Sequence, residues 1–195
     1  MTAAVGYTPS MPVMICMLRG VNVGGRNMIK MDVLRAICES LKCESPQTLL
    51  QSGNVVFRTK NRNTGQLSKQ LESAIEKKLR LRPRVILRAV SELREVIARS
   101  PFAKRSGLDP GKLVVSFIGG EPSSEARKQL LAMDIAPEEL HVVGRELHIY
   151  FPNGQGRPKL SWARVDKILG FPSTSRNWNT VTKLLQLGEA LEAGS

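Results

Sequence analysis

The amino-acid sequence predicts an α+β protein built from two duplicated ferredoxin-like (α/β-plait) subdomains, each running βαββαβ with an antiparallel sheet. Three observations carry this prediction. Strand-like and helix-like hydrophobic periods alternate in the same order twice. The two copies lie about a hundred residues apart, the length of one compact module. A segment rich in proline and glycine, Pro101 to Gly111, separates them. The predicted layout is a loose tail at residues 1–11, a first subdomain with a trailing helix at 12–100, a connection at 101–111, and a second subdomain with a C-terminal helix at 112–195.

In the first copy, Val13 to Val21 (VMICMLRGV) is an apolar run ending in glycine-rich polar sequence, as a buried strand requires. Val33, Leu34, Ile37, Cys38 and Leu41 then fall on one face of a helix from Met31 to Lys42, with Asp32 in its first turn. Thr48–Gln51 and Val55–Thr59 read as strands joined by the Ser52-Gly53-Asn54 turn. Leu67, Leu71, Ala74, Ile75 and Leu79 form a second amphipathic helix, Val85–Val90 a strand, and Ser91 caps a short helix to Arg99.

In the second copy, Leu113–Ile118 is a strand, and Ser123 or Ser124 caps a helix to Met133. Leu140–Val143 and Leu147–Phe151 flank a Gly144-Arg145-Glu146 turn. A helix from Leu160 to Leu169 is closed by Gly170 and Pro172, a strand covers Ser173 to Trp178, and Thr180 starts a last helix. Each sheet then has one face covered by its helices, and the opposite faces either pack on each other or hold a ligand.

Composition narrows the function. The chain has 195 residues, 42% of them hydrophobic and spread along its length, which is ample for a buried core and gives no membrane-spanning run. Its formal charge is +12. There are 19 basic against 8 acidic residues up to Asp109, and 10 against 9 beyond it, so the excess sits in the first half. Nucleic acid or another anion is the partner that such a balance favours. Cys16, Cys38 and Cys43 are odd in number and lack C-x-x-C spacing, which argues against a disulfide framework or a zinc site. A cytoplasmic location follows, and the opening residues do not read as a signal peptide.

Four polar loops beside predicted strands hold the candidate ligand-binding residues. Arg19 to Asn27 lies between a strand and a helix, where glycines can turn N–H groups toward an anion and Arg19, Arg26 and Lys30 can supply charge-assisted contacts. Its spacing nearly imitates a Walker A loop, but Arg26 and Asn27 replace the lysine and the magnesium-binding hydroxyl, so an NTPase is rejected. Gln51-Ser52-Gly53-Asn54 and Pro152 to Arg157 are amide-rich, and such residues also serve simple turns. Arg176, Asn177, Trp178, Asn179 and Lys183 can stack on a base and bond its edges, or anchor a core and cap a helix.

Lys77, Lys78, Arg80, Arg82, Arg84 and Arg88 form the densest basic tract, read as a solvated surface or a phosphate contact. Phe57 is the one aromatic on the inner strands, which disfavours ordinary RRM recognition. His148 alternates against Leu147 and Ile149 and is expected at the surface. The four loops contain no Asp, Glu, His or Cys, so general acid–base catalysis has no agent there.

At RGVNVGGRNMIKM, LLQSGNVVF, SPF, YFPNGQGRPKL and SRNWNTVTKLLQL the sequence resembles the bacterial family catalogued as domain of unknown function 1697, over Met11 to Leu187. The resemblance implies a duplicated pair of plait-like subdomains and no established activity. It marks as characteristic Arg19, Gly20, Asn22, Gly24, Gly25, Asn27, Gln51, Ser52, Gly53, Asn54, Asn153, Gly154, Lys159, Leu160, Arg176 to Thr180, and Lys183. The chain departs from the pattern in its longer N-terminal tail and in Arg26, where lysine is common.

The expectation is a binding protein without cofactor or metal and without membrane contact. Its ligand-binding residues are Arg19, Asn22, Gly24, Gly25, Arg26, Asn27, Gln51, Ser52, Asn54, Asn153, Lys159, Arg176, Asn177, Trp178, Asn179 and Lys183. These surround an anionic ligand, nucleotide or nucleic acid, in a cleft between the subdomains. Two alternatives stand beside it. One is an enzyme acting on a phosphorylated or carboxylated metabolite by positioning and electrostatics. The other is that the polar motifs only pin the two subdomains together.

Overall fold

The structure, a computed structural model, describes residues 11–194, so the expected tail lies outside the described residues apart from Met11. The first unit contains β1 (Val13–Leu18), α1 (Met31–Ser40), β2 (Glu44–Leu49), β3 (Asn54–Arg58), α2 (Thr64–Leu79), β4 (Val85–Ala89) and α3 (Val90–Ala98). The second contains β5 (Leu113–Ile118), α4 (Ser124–Leu131), β6 (Glu139–Val143), β7 (Glu146–Tyr150), α5 (Trp162–Leu169), β8 (Ser173–Asn177) and α6 (Trp178–Ala193). Both sheets are antiparallel, in the orders β2-β3-β1-β4 and β6-β7-β5-β8. The duplicated α+β plait is therefore the architecture of the protein.

Registers match between the units. Met17 pairs with Asn54 and Ile15 with Arg88 in the first sheet, as Phe117 pairs with Glu146 and Val115 with Arg176 in the second. Residues one hundred apart in β1 and β5, ninety-two apart in β3 and β7, and eighty-eight apart in β4 and β8 are thus structural equivalents.

Alternation sends each strand's side chains to two cores. In the first sheet, Met14, Cys16, Leu18, Val55 and Phe57 pack under α1 and α2 through Leu34, Ile37, Leu67, Leu71 and Ile75. In the second, Val114, Ile118, Leu147 and Ile149 pack under α4 and α5 through Leu130, Val165 and Leu169. The opposite faces meet each other. Ile15, Met17, Val56 and Ile86 join Val115 and Phe117, with α3 and α6 contributing Val90, Leu93, Val96, Val181, Leu184 and Leu191. These faces are closed by packing, the first of the two arrangements the sequence left open.

Local departures have local causes. The strand β1 stops at Leu18 because Arg19 and Gly20 turn away, Gly20 at φ +65°. Ser91 does not cap α3. The Glu92 carboxylate accepts from Ala89 N–H at 2.7 Å, which moves the start of that helix upstream. Likewise α6 begins at Trp178, two residues early, because the Asn177 side chain accepts from Asn179 N–H at 2.9 Å.

Candidate functional site

The loop after β1 is a small hairpin. Val23 bridges Arg26, with Gly24 and Gly25 at φ +56° and +73° between them. Two successive positive φ values are what a two-residue type I′ turn demands, and glycine meets them without strain. The hairpin is tied at its base by amides. Asn22 Oδ1 accepts from Ile29 N–H at 2.7 Å, Asn22 Nδ2 donates to the carbonyls of Ile29 and Gln51, and Asn27 Nδ2 donates to Gly20 O. Both asparagines lie at positive φ themselves. Val23 to Met28 is exposed, including Gly24, Gly25 and Arg26.

Beside it lies the β2–β3 turn. A Cβ on Gly53 would fall 2.3 Å from Val21 Cγ2, so only glycine fits between the two loops. Asn54 is buried, donating through Nδ2 to Leu49 O and Ser52 Oγ and accepting at Oδ1 from Arg176 Nε at 2.6 Å. Arg176 thus crosses from β8 to the first unit. It also donates to Leu18 O at 2.8 Å, Ser52 O at 3.3 Å, Thr174 Oγ1 and Ser175 O. Burial holds its pKa down to about 10, with Cys16 opposing that shift.

Arg19, Asn22, Gly24, Gly25, Arg26, Asn27, Gln51, Ser52, Asn54 and Arg176 are therefore brought together at one end of the molecule. The other expected residues are placed elsewhere. Asn153 to Lys159 follows the far end of β7, where Gly154 N–H donates to Phe151 O. Lys159 Nζ pairs with Asp134 at 3.0 Å, while its N–H donates to Glu138. Asn177 donates to Gly111 O at 2.8 Å and caps α6, while Trp178 packs half-buried on the central core. Asn179 and Lys183 are exposed on α6. One strand length of β8, roughly 13 Å, separates its Asn177 end from its Ser173 end.

Two sequence expectations are overturned. Arg88 does not face water with the rest of the basic tract. It is 2% exposed and crosses between the sheets, donating to Glu146 Oε1 at 2.9 Å and Ile118 O at 2.9 Å, with its guanidinium over the Phe117 ring. Alternation gave the correct parity with Ile86, but that face is covered by the other sheet. His148 is 1% exposed, and neither ring nitrogen has a partner among the described residues. Burial, helped by His141, lowers its pKa to about 4.

Two cavities matter. One of about 170 Å³ lies between the units, walled by α3 and the β6–β7 hairpin. Four of its charged residues pair with one another, Arg88 with Glu146 and Arg145 with Glu92. The second, about 320 Å³, is lined by Arg19, Gly20, Val21 and Asn27 from the loop after β1 and by Leu81, Arg82, Pro83 and Arg84 before β4. Arg19 N–H donates to Arg84 O at 2.9 Å, stitching its two walls together. Arg82 and Arg84, 81% and 64% exposed in their side chains, belong to the basic tract for which the sequence leaves a solvated surface or a phosphate contact open. Nothing in the sequence places them beside Arg19.

Cys16, Cys38 and Cys43 are buried free thiols whose pKa values burial raises, Cys16 to about 12 and Cys43 to about 11. Among the described residues no cluster of metal-ligating side chains is present, and no helix is long and apolar enough to cross a membrane.

A conserved bacterial protein, SP0830 from Streptococcus pneumoniae, shares the fold. The two align with a TM-score of 0.68 over 91% of this chain and 98% of the other, at 21% identity. No curated protein matches the chain. The family model described as "Protein of unknown function (DUF1697)" matches residues 11–148, well over half the sequence, and the chain therefore belongs to the DUF1697 family.

Proposed function

We propose that the protein binds an anionic ligand, nucleic acid or a nucleotide, through the basic end of its first unit. The observation that carries this reading is the gathering of Arg19, Arg82 and Arg84 around one cavity. Arg80, Lys78 and Lys77 immediately precede this wall in the half of the chain that holds nearly all the charge surplus. Guanidinium forks suit phosphate oxygens, and Arg82 and Arg84 stand largely in solvent. The characteristic loops then divide their work. Arg19 and the exposed hairpin face the ligand, while Asn22, Asn54 and Arg176 hold the loops and the two units in place.

Titrating the protein into labelled single-stranded RNA and DNA over a salt series tests this. Affinity should fall steeply and linearly with salt on logarithmic axes, and Arg82→Gln should reduce the slope by about one. Binding indifferent to salt overturns it, as does the absence at low ionic strength of binding both to these strands and to a nucleotide.

A second reading has its own support. Arg176 and Asn54 bond to each other and to backbone carbonyls of both units, so these motif residues act as docking pins. Asn54→Ala should lower stability, and an unchanged unfolding midpoint would count against that role.

A further inference from the structure

Resting on the binding reading above, we propose that the cavity formed by Arg19, Arg82 and Arg84 is a receptor for a terminal phosphate monoester, carried by a nucleic acid end or a nucleotide. The second unit provides an internal control. The register makes Gly119 and Gly120 the equivalents of Arg19 and Gly20, and makes Gly170, Phe171 and Pro172 the equivalents of Arg82, Pro83 and Arg84. The same backbone bond recurs, from Gly119 N–H to Pro172 O at 2.8 Å. No cation is there. Phe171 fills the space instead, its ring so close that a Cβ on Gly120 would lie 2.5 Å from Phe171 Cε1. The plait therefore closes this end of a sheet without arginine at these positions, so the fold as such does not require the three arginines of the first unit.

The chemistry of the open copy suits a monoester. A Cβ on Gly20 would meet nothing within 4 Å, so the floor is accessible. Val21, Leu81 and Pro83 form an apolar shelf beside the guanidiniums, and the volume of about 320 Å³ is that of a small-ligand site. Each guanidinium carries five N–H donors. Arg82 and Arg84 each spend one on a carboxylate, Glu76 and Glu72, and Arg19 spends two on Asp166, which leaves donors on all three. A phosphodiester in a strand carries one charge, whereas a monoester carries about 1.5 to 2 at neutral pH. Three arginines that line one cavity and keep free donors beside their carboxylate partners suit the more highly charged group, which can draw on all three.

The experiment compares one single-stranded oligonucleotide with a 5′-phosphate, a 3′-phosphate or hydroxyls at both ends, together with a nucleoside monophosphate. It uses the full chain and the exposed-site variants Arg82→Gln and Arg84→Gln. A terminal phosphate should tighten binding about tenfold or more, as one further charge-assisted contact gives, and the ratio should collapse toward one in both variants. The favoured end identifies which monoester is read. Equal affinity for phosphorylated and hydroxyl ends overturns this inference and leaves the nucleic-acid reading standing. A preference that survives in both variants overturns the assignment to this cavity. Binding of the monophosphate alone supports the cavity and overturns the strand-binding form, and no binding of any probe at low salt overturns both.

Discussion

Arg88 in β4 and Arg176 in β8 are each the fourth residue of the last strand of their sheet, and each crosses to the other unit to meet the same set of groups. Arg88 donates to the carbonyl of Ile118, the last residue of β5, to Arg145 O in the β6–β7 turn, and to its own preceding carbonyl at Leu87. Arg176 does the same with Leu18 and Ser175, and takes its turn carbonyl from Ser52, one position before the equivalent of Arg145. The partner at the start of the facing strand differs. Arg88 finds Glu146 and Arg176 finds Asn54, so one crossing is an ion pair and the other a cation solvated by neutral oxygens. Thr174, where the first unit has Ile86, supplies Arg176 with one further oxygen. Hydrogen-bond geometry is thus kept in both copies while charge compensation is not.

Removing the compensation is the strongest way to break that comparison. Burial pushes the Arg88 pKa down and the Glu146 pKa up, each against the pull of its partner, so the pair is held together at a cost in desolvation. Glu146→Leu would leave an uncompensated buried cation and should destabilise the protein by about 3–5 kcal/mol, read from the urea midpoint. Adding Arg88→Met to the same chain should recover most of that loss, since well-packed apolar groups replace buried pairs at little cost. A double variant as unstable as the single one would show that Glu146 acts through something other than Arg88.

Next in size is an effect of pH. The equivalent of His148 in the first unit is Val56, so only the second sheet buries a titratable ring on this face. Its pKa of about 4 lies below the ordinary 6.5. The unfolded chain therefore takes up the proton first. Stability is complete above pH 6.5 and falls as the pH drops toward 4, by about 3 kcal/mol in all. His148→Val, which makes the second sheet resemble the first, should flatten the curve of stability against pH over that range. Equal slopes for the two proteins would show that the ring is not the group responsible.

Asn54→Ala should cost less, about 1–3 kcal/mol, because it removes one neutral acceptor from a cation that keeps four others. Calorimetry of this variant beside Glu146→Leu measures the asymmetry directly. If Asn54→Ala were the more damaging, Arg176 would depend on the amide more than Arg88 depends on its carboxylate, reversing the order argued here.

These contrasts also mark what the sequence could and could not convey. Apolar alternation and turn residues locate β1, β3, β5 and the second hairpin, since those signals are local, while β2 runs Glu44–Leu49 rather than Thr48–Gln51 because its polar ESPQTL sequence shows no apolar alternation. β8 (STSRN) has no apolar residue, so only its place in the repeated order marks it as a strand, and its side chains are satisfied across the fold, Thr174 and Arg176 by the first unit and Ser173 by Asp166 of α5. Arg88 and His148 obey alternation, but parity alone does not say which face another sheet will cover. Their burial arises from contacts 58 residues away or between units. For the candidate site, the motif residues were legible as a set while their separation into buried pins, an exposed hairpin and a distant loop was not. Arg82 and Arg84 reach Arg19 only through the β1–β4 pairing, which brings chain segments some sixty residues apart side by side.

The smallest expected effect concerns a third inter-unit contact, between Arg19 and Asp166 of α5. It joins the same two units as the Arg88 pair, but its side chains are 40% and 27% exposed, so water already screens both charges. Pairs of that kind contribute at most about 1 kcal/mol and weaken with added salt. Asp166 also accepts from Ser173 Oγ at 3.0 Å and so retains a partner when the arginine is removed. Arg19→Ala should therefore shift the unfolding midpoint only slightly, and the shift should vanish at high ionic strength, while that of Glu146→Leu persists because its pair is shielded from ions. A large, salt-independent loss in Arg19→Ala would place Arg19 among the docking pins with Arg88 and Arg176. A small one leaves Arg19 available at the cavity it shares with Arg82 and Arg84.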